Sequence, residues 1–228
     1  MENKRSLVSY GDAYRIYTGH SFANSIVVIS IGIIALFAGF MLLMTLLMFA
    51  DSDSTEGLQP LFSVTLAAVY CNLLVSTRML SLFEKGVPGG KYFRTVKGGF
   101  DTFAKAQKAF IAEGAVVVFV FCAFLAVLDC LGIIDIGNAA GSCLMLFITV
   151  FLARAIASFG RLIKNAVTRT IVIMFVLYAV NIFGVMQIGT LDGKIGVLQI
   201  VLAAAAVILT VISEALVLRD YRKTRWDN

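Results

Sequence analysis

The sequence predicts an all-α membrane protein with six transmembrane helices. Of its 228 residues, 60% are hydrophobic and only 14% are charged, whereas a soluble domain is normally about a quarter charged. The apolar residues lie in long runs, and a helix of about twenty residues crosses the roughly 30 Å hydrocarbon core of a bilayer. Because these runs lack the alternating pattern of barrel strands, helices are the spanning structure we expect.

Six apolar runs meet this length requirement. We expect the first span to be retained rather than cleaved, because its run is about twice as long as the apolar core of a secretory signal. Glu2 and Asp12 also stand among the basic residues that precede it. Within a single domain over residues 1–228, the predicted spans are residues 22–50, 61–83, 112–131, 140–158, 170–185 and 195–218.

Charged residues are divided unequally between the two sides of these spans. The connection between spans one and two carries Asp51, Asp53 and Glu56 and no basic residue. Lys194 is the only one of the 19 Lys and Arg residues that falls on that same side. Since Lys and Arg accumulate in cytoplasmic loops, the opposite side is the cytoplasm. An even number of spans then places both termini in the cytoplasm.

The segment before span one has the composition of an amphipathic helix. Tyr10, Tyr14, Ile16 and Tyr17 alternate with polar residues and with Arg15. Aromatic and basic side chains in this arrangement are typical of a helix at the level of the lipid headgroups. We therefore predict an amphipathic N-terminal helix on the cytoplasmic side.

One cytoplasmic connection, residues 84–111, is much longer than the others. Glycine and proline interrupt it after span two, and Gly98 and Gly99 interrupt it again, so it predicts two short helices over residues 89–96 and 100–107 with a glycine hinge between them. Its aromatic residues argue against a disordered linker. Two interpretations remain open: a helix lying on anionic lipid, or a surface presented to a soluble partner.

If residues 84–111 bind a partner, aromatic side chains supply the buried anchors and basic side chains the polar rim. The candidate partner-binding residues are Tyr92, Phe93, Arg94, Lys97, Phe100 and Phe103.

Catalytic and metal-binding motifs are missing from the sequence. His20 is the single histidine, so haem ligation by two histidines and HExxH chemistry are excluded. No phosphate-binding loop fits the required spacing, and we expect the chain not to be an enzyme.

Arg78, Arg154 and Glu214 fall near cytoplasmic span ends, where long side chains reach the surface. We therefore expect no ion-binding site at mid-depth, of the kind that ion-driven transporters use.

Other polar residues lie inside the predicted spans. Hydrogen bonding between helices is the first interpretation, and lining of a transport path is the second; the residues concerned are Asn72, Tyr178, Asn181 and Gln199.

The four cysteines are expected to be small packing residues. A disulfide between Cys130 and Cys143 at one membrane face is the alternative for that pair.

The topology and two cytoplasmic stretches resemble the permease subunits of type-2 ABC exporters. The stretches are SLFEKGVPGGKYFRTVKGGF after span two and the short turn RLIKN between spans four and five. The resemblance implies that residues 84–111 contain the coupling helix on which a separate ATP-binding-cassette subunit docks. It also implies a second permease chain, identical or homologous, and a place in a bacterial cytoplasmic membrane. ATP and magnesium would then be bound by the partner ATPase, with no cofactor in this chain.

The physical argument agrees with this resemblance. A membrane protein without a nucleotide loop or a mid-depth ion site receives its energy most economically from a docked partner, and one six-span chain encloses little space alone. The alternative is a membrane scaffold that recruits a partner or anionic lipid through residues 84–111. An enzyme acting on lipid is disfavoured because acids and histidines do not cluster. Neither interpretation involves nucleic acid, and the exported substrate, whether peptide, drug or lipid, stays open.

Overall fold

The computed structural model describes residues 8–48, 98–133, 139–160, 163, 165–189 and 196–223. Over these residues the chain is all-helical, as the sequence predicts. In chain order the helices are α1 (Tyr10–Thr18), α2 (Phe22–Met48), α3 (Gly99–Cys130), α4 (Ala139–Phe159), α5 (Ala166–Gly189) and α6 (Val197–Lys223).

Three of the described helices are long and apolar enough to cross a membrane, within Phe22–Gly39, Gly99–Cys130 and Val197–Arg222. Large apolar side chains also stand exposed on outward faces, among them Val28 on α2 and Phe175 on α5. Both observations suggest a membrane protein. Helices α2 to α6 coincide with five of the six predicted spans. The second predicted span, residues 61–83, lies outside the described residues, so six spans and their orientation stay a prediction.

The N-terminal amphipathic segment forms helix α1. Ser9 caps it: its hydroxyl oxygen accepts the backbone N–H of Asp12 at 3.1 Å. Gly19 ends it in the left-handed conformation, with φ 76°, which glycine adopts at no steric cost. Tyr14 and Tyr17 are buried against the rest of the chain, whereas Tyr10, the first residue of the helix, is 54% exposed. The helix therefore packs its tyrosine face on the protein.

Helix α3 corrects one prediction about the long connection. Gly98 has φ 93° and immediately precedes the helix, so the predicted break lies at this glycine. The predicted short helix over residues 100–107 is wrong as a separate element, because α3 runs without interruption from Gly99 to Cys130. No glycine or proline occurs between Gly99 and Gly114, so no residue there breaks the ladder of backbone hydrogen bonds.

Helix α4 lies at the centre of the packing, in contact with α3, α5 and α6, while α1 and α2 pack on α3. One apolar cluster joins α2, α3 and α4 and includes Phe37, Phe121 and Leu146. A second joins α4 to α6 and includes Met145 and Ala206. A third joins α1, α3 and α6, and it surrounds the polar groups described next.

Candidate functional site

Aromatic side chains tie together the start of α3, the end of α6 and α1. The ring of Phe103 stacks on that of Tyr221, with centroids 4.0 Å apart and planes 6° apart. Tyr17 meets the Phe103 ring edge-on at 5.6 Å, and its hydroxyl lies 3.4 Å from the Tyr221 hydroxyl. We call Tyr17, Phe103 and Tyr221 the aromatic junction. All three side chains are buried, so α1, α3 and α6 are joined here as one packed unit.

A carboxylate lies beside this junction. The hydroxyl of Tyr14 on α1 donates to Glu113 Oε1 on α3 at 2.7 Å. The hydroxyl of Ser25 on α2 donates to the same oxygen and lies 2.9 Å from the Tyr14 hydroxyl. None of the three residues is more than 3% exposed. Since buried polar groups are stable only when they are hydrogen-bonded, this cluster connects α1, α2 and α3 specifically.

Arg154 on α4 also contacts α3. Its Nη1 donates to the carbonyl oxygen of Phe110 at 2.9 Å, and its guanidinium lies over the Phe110 ring at 4.9 Å from the centroid. A Cβ added at Gly114 would lie 3.3 Å from Nη1, so the missing side chain there makes room for the guanidinium. Arg154 is only 3% exposed. The prediction that its side chain reaches the surface is therefore wrong, because α3 supplies its partners inside the bundle.

Glu214 on α6 lies at the same level as Phe110. The two helices run in opposite directions, since Phe103 stacks on Tyr221 while Phe100 lies beside Arg222. Phe110 is two turns after Phe103, and Glu214 is two turns before Tyr221. The negative charges of Glu214 and Glu113 accordingly attract the Arg154 guanidinium. We call Glu113, Arg154 and Glu214 the charge centre.

Three buried polar atoms near the charge centre have no hydrogen-bond partner among the described residues. They are Arg154 Nη2, Glu214 Oε1 and Gln107 Oε1. Gln107 is buried one turn before Phe110 on α3. One donor and two acceptors thus stay unpaired where α3, α4 and α6 meet. Unpaired buried groups of this kind are the usual partners of internal water or of a polar ligand.

The structure separates the predicted partner-binding residues. Phe103 is 2% exposed and belongs to the aromatic junction, so its ring serves the packing of the chain itself rather than an exposed anchor. Phe100 is half-buried, and the Arg222 guanidinium lies 4.6 Å from its ring centroid. The remaining predicted partner-binding residues lie outside the described residues: Tyr92, Phe93, Arg94 and Lys97.

The predicted path-lining residues are also scattered. Gln199 is buried, but its side-chain oxygen accepts the backbone N–H of Gly196 at 2.9 Å and so caps the start of α6. Tyr178 and Asn181 lie on α5, and their side chains are outside the described part of the structure. Asn72 lies outside the described residues.

Sequence reasoning missed the charge centre, although a signal was present. Glu113 and Arg154 both fall inside runs that are predicted to span a membrane, where ionisable residues are rare and mark function. The contribution of Tyr14 and Ser25 has no sequence signal, because it depends on how α1 folds back. No group of three metal-ligating side chains occurs within the described ranges.

Comparison of the chain with protein-family models, with curated proteins and with solved structures finds no match.

Proposed function

We propose that this chain is the membrane-spanning subunit of an ATP-driven exporter. A separate ATP-binding-cassette subunit docks on residues 84–111 and supplies the energy. The observation that carries the proposal is the continuity of α3, which joins the end of this segment to the third predicted span as one 32-residue helix.

The length of α3 supports the proposal that movement of the docked segment is passed into the membrane through this helix. At 1.5 Å per residue the helix is about 48 Å long, which exceeds a hydrocarbon core of about 30 Å by roughly twelve residues. Three of its five charged residues, Asp101, Lys105 and Lys108, fall in the first ten residues, and its two basic residues are among them. Helix α6 ends in the same way, with Arg219, Asp220 and Arg222 in its last turns. Both helices therefore project from the same side of the bilayer.

The aromatic junction holds the two projecting ends together. Stacking of Phe103 on Tyr221 and the edge-on contact with Tyr17 make α1, α3 and α6 one body at this side. Lys105 adds a tie to the start of α1, since its Nζ donates to the carbonyl oxygen of Val8 at 2.9 Å. Force applied to the segment before Gly98 is thus passed to α3 and α6 together.

The charge centre lies directly below the junction, where such a movement has its first effect. Arg154 joins α4 to α3 through the Phe110 carbonyl and is attracted to Glu214 on α6. A shift of α3 along α4 therefore breaks a hydrogen bond and separates buried charges. Buried ionisable groups in membrane helices commonly mark a substrate path, and a path for export is completed by a second permease chain.

Co-purification with an identified ATPase tests the proposal. The chain is expressed in its native host with its genomic neighbours, purified in mild detergent, and assayed for a bound ATP-binding-cassette subunit and for ATP hydrolysis. Phe93→Ala should release the ATPase, because truncation of an interface anchor typically costs about 2 kcal/mol or more. Phe119→Ala is the matched control, since Phe119 is 71% exposed on α3 far from the segment. A wild-type chain that retains no such ATPase contradicts the proposal.

One observation favours a second candidate, the lipid-binding scaffold. Arg15, Lys108, Arg219 and Arg222 are all exposed on the elements that form the aromatic junction. Basic side chains at a membrane surface attract anionic lipid by about 1 kcal/mol each. Retention of anionic lipid without any ATPase, and loss of that lipid in a variant lacking these four charges, would select the scaffold over the exporter.

A further inference from the structure

Two cysteines face each other across the α3–α4 contact. Cys122 Sγ lies 3.9 Å from the carbonyl oxygen of Cys143, and Cys143 Sγ lies 4.0 Å from the carbonyl oxygen of Cys122. Neither cysteine is part of a disulfide, and both are half-buried. The reciprocal contacts place the two cysteines opposite each other where α3 meets α4, and such close approach is what a disulfide between two helices requires.

The surrounding helices explain this closeness. Helix α3 runs toward the connection at residues 131–138 and α4 runs away from it, so that Phe121 and Leu125 pack near Leu146 in one cluster. Gly141 and Ser142 are buried at the start of α4. Small residues at a helix contact let the two backbones approach closely, and Cys143 follows them directly.

This pair replaces the one that the sequence suggests. The alternative of a Cys130–Cys143 disulfide is wrong in the structure, because Cys130 is exposed at the end of α3 while Cys143 faces Cys122. Cys122 lies two turns earlier on the helix, on the face that packs against α4. The distinction depends on which side of α3 meets α4, and sequence separation does not reveal it.

We propose that Cys122 and Cys143 form a thiol modification site, which closes into an α3–α4 disulfide on reaction with a small membrane-permeant disulfide. One cysteine, as its thiolate, attacks a sulfur of the reagent; a mixed disulfide forms and one reagent thiol leaves. The second cysteine then attacks the protein sulfur of the mixed disulfide and releases the second reagent thiol. Two protein thiols are thus oxidised by two electrons, and one reagent disulfide is reduced to two thiols that carry the protons.

The second step is intramolecular and therefore fast. A neighbouring group held in place reacts as if it were present at a very high effective concentration, so the mixed disulfide should not accumulate. The first step is slow, because the half-buried side chains are less accessible to the reagent than an exposed thiol. Cys130 is exposed and faces no other cysteine among the described residues, so it should react sooner and stop at the mixed disulfide.

The bond would fix α3 against α4 at the end remote from the charge centre. Cys122 lies twelve residues after Phe110 on α3, which is about 18 Å along the helix. If the proposed export function holds, the oxidised chain should retain its ATPase and lose coupled ATP turnover, because α3 no longer shifts along α4. Formation of the disulfide itself does not depend on that function, so the two proposals fail separately.

The test uses a full-length variant in which Cys71 and Cys130 are replaced by serine. The folded protein in mild detergent is treated with dithiodipyridine, an aromatic disulfide, and its intact mass is measured. We expect the loss of two hydrogen atoms and no pyridylthio adduct, reversed by a reductant. Peptide mapping should place the bond between Cys122 and Cys143.

Two controls keep the result specific. Cys122→Ser or Cys143→Ser on the same background leaves one thiol, which should carry one adduct or stay reduced and never lose two hydrogen atoms. A variant that retains only Cys130 and Cys143 should form no intrachain disulfide. Two adducts on the pair, or no reaction under conditions that fully convert Cys130 in the wild type, would overturn the proposal.

Discussion

Arg154 shows how a single buried charge is accommodated in this chain. Its guanidinium uses one nitrogen on the Phe110 carbonyl, lies over an aromatic ring and is attracted to two carboxylates. Removing one partner of a buried ionic group typically costs more than the intact group contributes, because the remaining charge is left uncompensated. Substitution of Arg154 is therefore expected to destabilise the protein.

Replacing Arg154 by methionine should lower stability by about 3–5 kcal/mol, because Glu113 and Glu214 then lose their buried counter-charge. Thermal unfolding of the purified protein in detergent measures the effect. Arg219→Met is the matched control, since Arg219 is exposed on α6. This substitution should change the unfolding temperature little. Adding Glu214→Gln to the Arg154 variant should restore part of the loss, as expected for coupled residues. Strict additivity of the two substitutions would show that they do not interact.

Tyr14 tests the hydrogen bonds around Glu113. Tyr14→Phe removes the hydroxyl that donates to Glu113 Oε1 while keeping the ring, which meets Phe22 edge-on at 5.5 Å. The free energy of unfolding should fall by about 1–3 kcal/mol, which is the usual cost of depriving a buried charged group of a hydrogen-bond donor. Tyr10→Phe provides the comparison, because Tyr10 is exposed at the start of α1. Equal unfolding temperatures for the two variants would argue against a stabilising role for the Tyr14 hydroxyl.

At the scale of elements, α3 contributes residues to both the aromatic junction and the charge centre. The same helix supplies one face to α1, another to α2 and a third to α4. Its glycine inside the helix, Gly114, is a point of close approach rather than a break, since the Arg154 guanidinium occupies the space beside it. A helical glycine is normally less stable than alanine by about 0.5–1 kcal/mol.

Gly114→Ala and Gly39→Ala should therefore differ. Gly39 lies within α2 and a Cβ there meets no atom within 4 Å, whereas a Cβ on Gly114 lies 3.3 Å from Arg154 Nη1. Gly39→Ala should stabilise the protein by about 0.5–1 kcal/mol. At Gly114 the gain in stability should be absent or reversed, because Arg154 Nη1 cannot move away without weakening its hydrogen bond to the Phe110 carbonyl oxygen. Matching shifts in unfolding temperature would mean that the guanidinium moves without cost.

At the scale of the whole molecule, we expect the basic residues to lie on one side of the bilayer. The exposed basic residues of α1, α3 and α6 gather around the aromatic junction, and all but one of the 19 basic residues are predicted to share that side. Helices α3 and α6 are both longer than a bilayer is thick. The fold thus places the charged ends of these two helices together beside α1.

Cysteine labelling in cells tests this orientation. A cysteine introduced at Ser54, between predicted spans one and two, should react with a membrane-impermeant maleimide added outside intact cells. A cysteine at Thr95 should react only after the membrane is permeabilised, because the positive-inside rule places residues 84–111 in the cytoplasm. The cysteine-free protein provides the background. Labelling of both positions, or of Thr95 alone, in intact cells would refute the six-span orientation.

The helical class and the approximate position of each described helix follow from the sequence alone. Runs of apolar residues of the required length have no other way to satisfy their backbone in lipid, and Gly19 and Gly98 mark helix boundaries because glycine accepts a positive φ. Amphipathic spacing likewise indicates α1. These are local properties, so neighbouring residues along the chain are enough to predict them.

The tertiary structure decided the rest. Local sequence does not show that Phe103 turns inward to Tyr221, or that Cys122 rather than Cys130 faces Cys143. The partners of Arg154 and Glu113 come from helices distant along the chain. Burial, hydrogen bonding and charge compensation depend on which helix faces meet, and that is settled only when all the helices pack together.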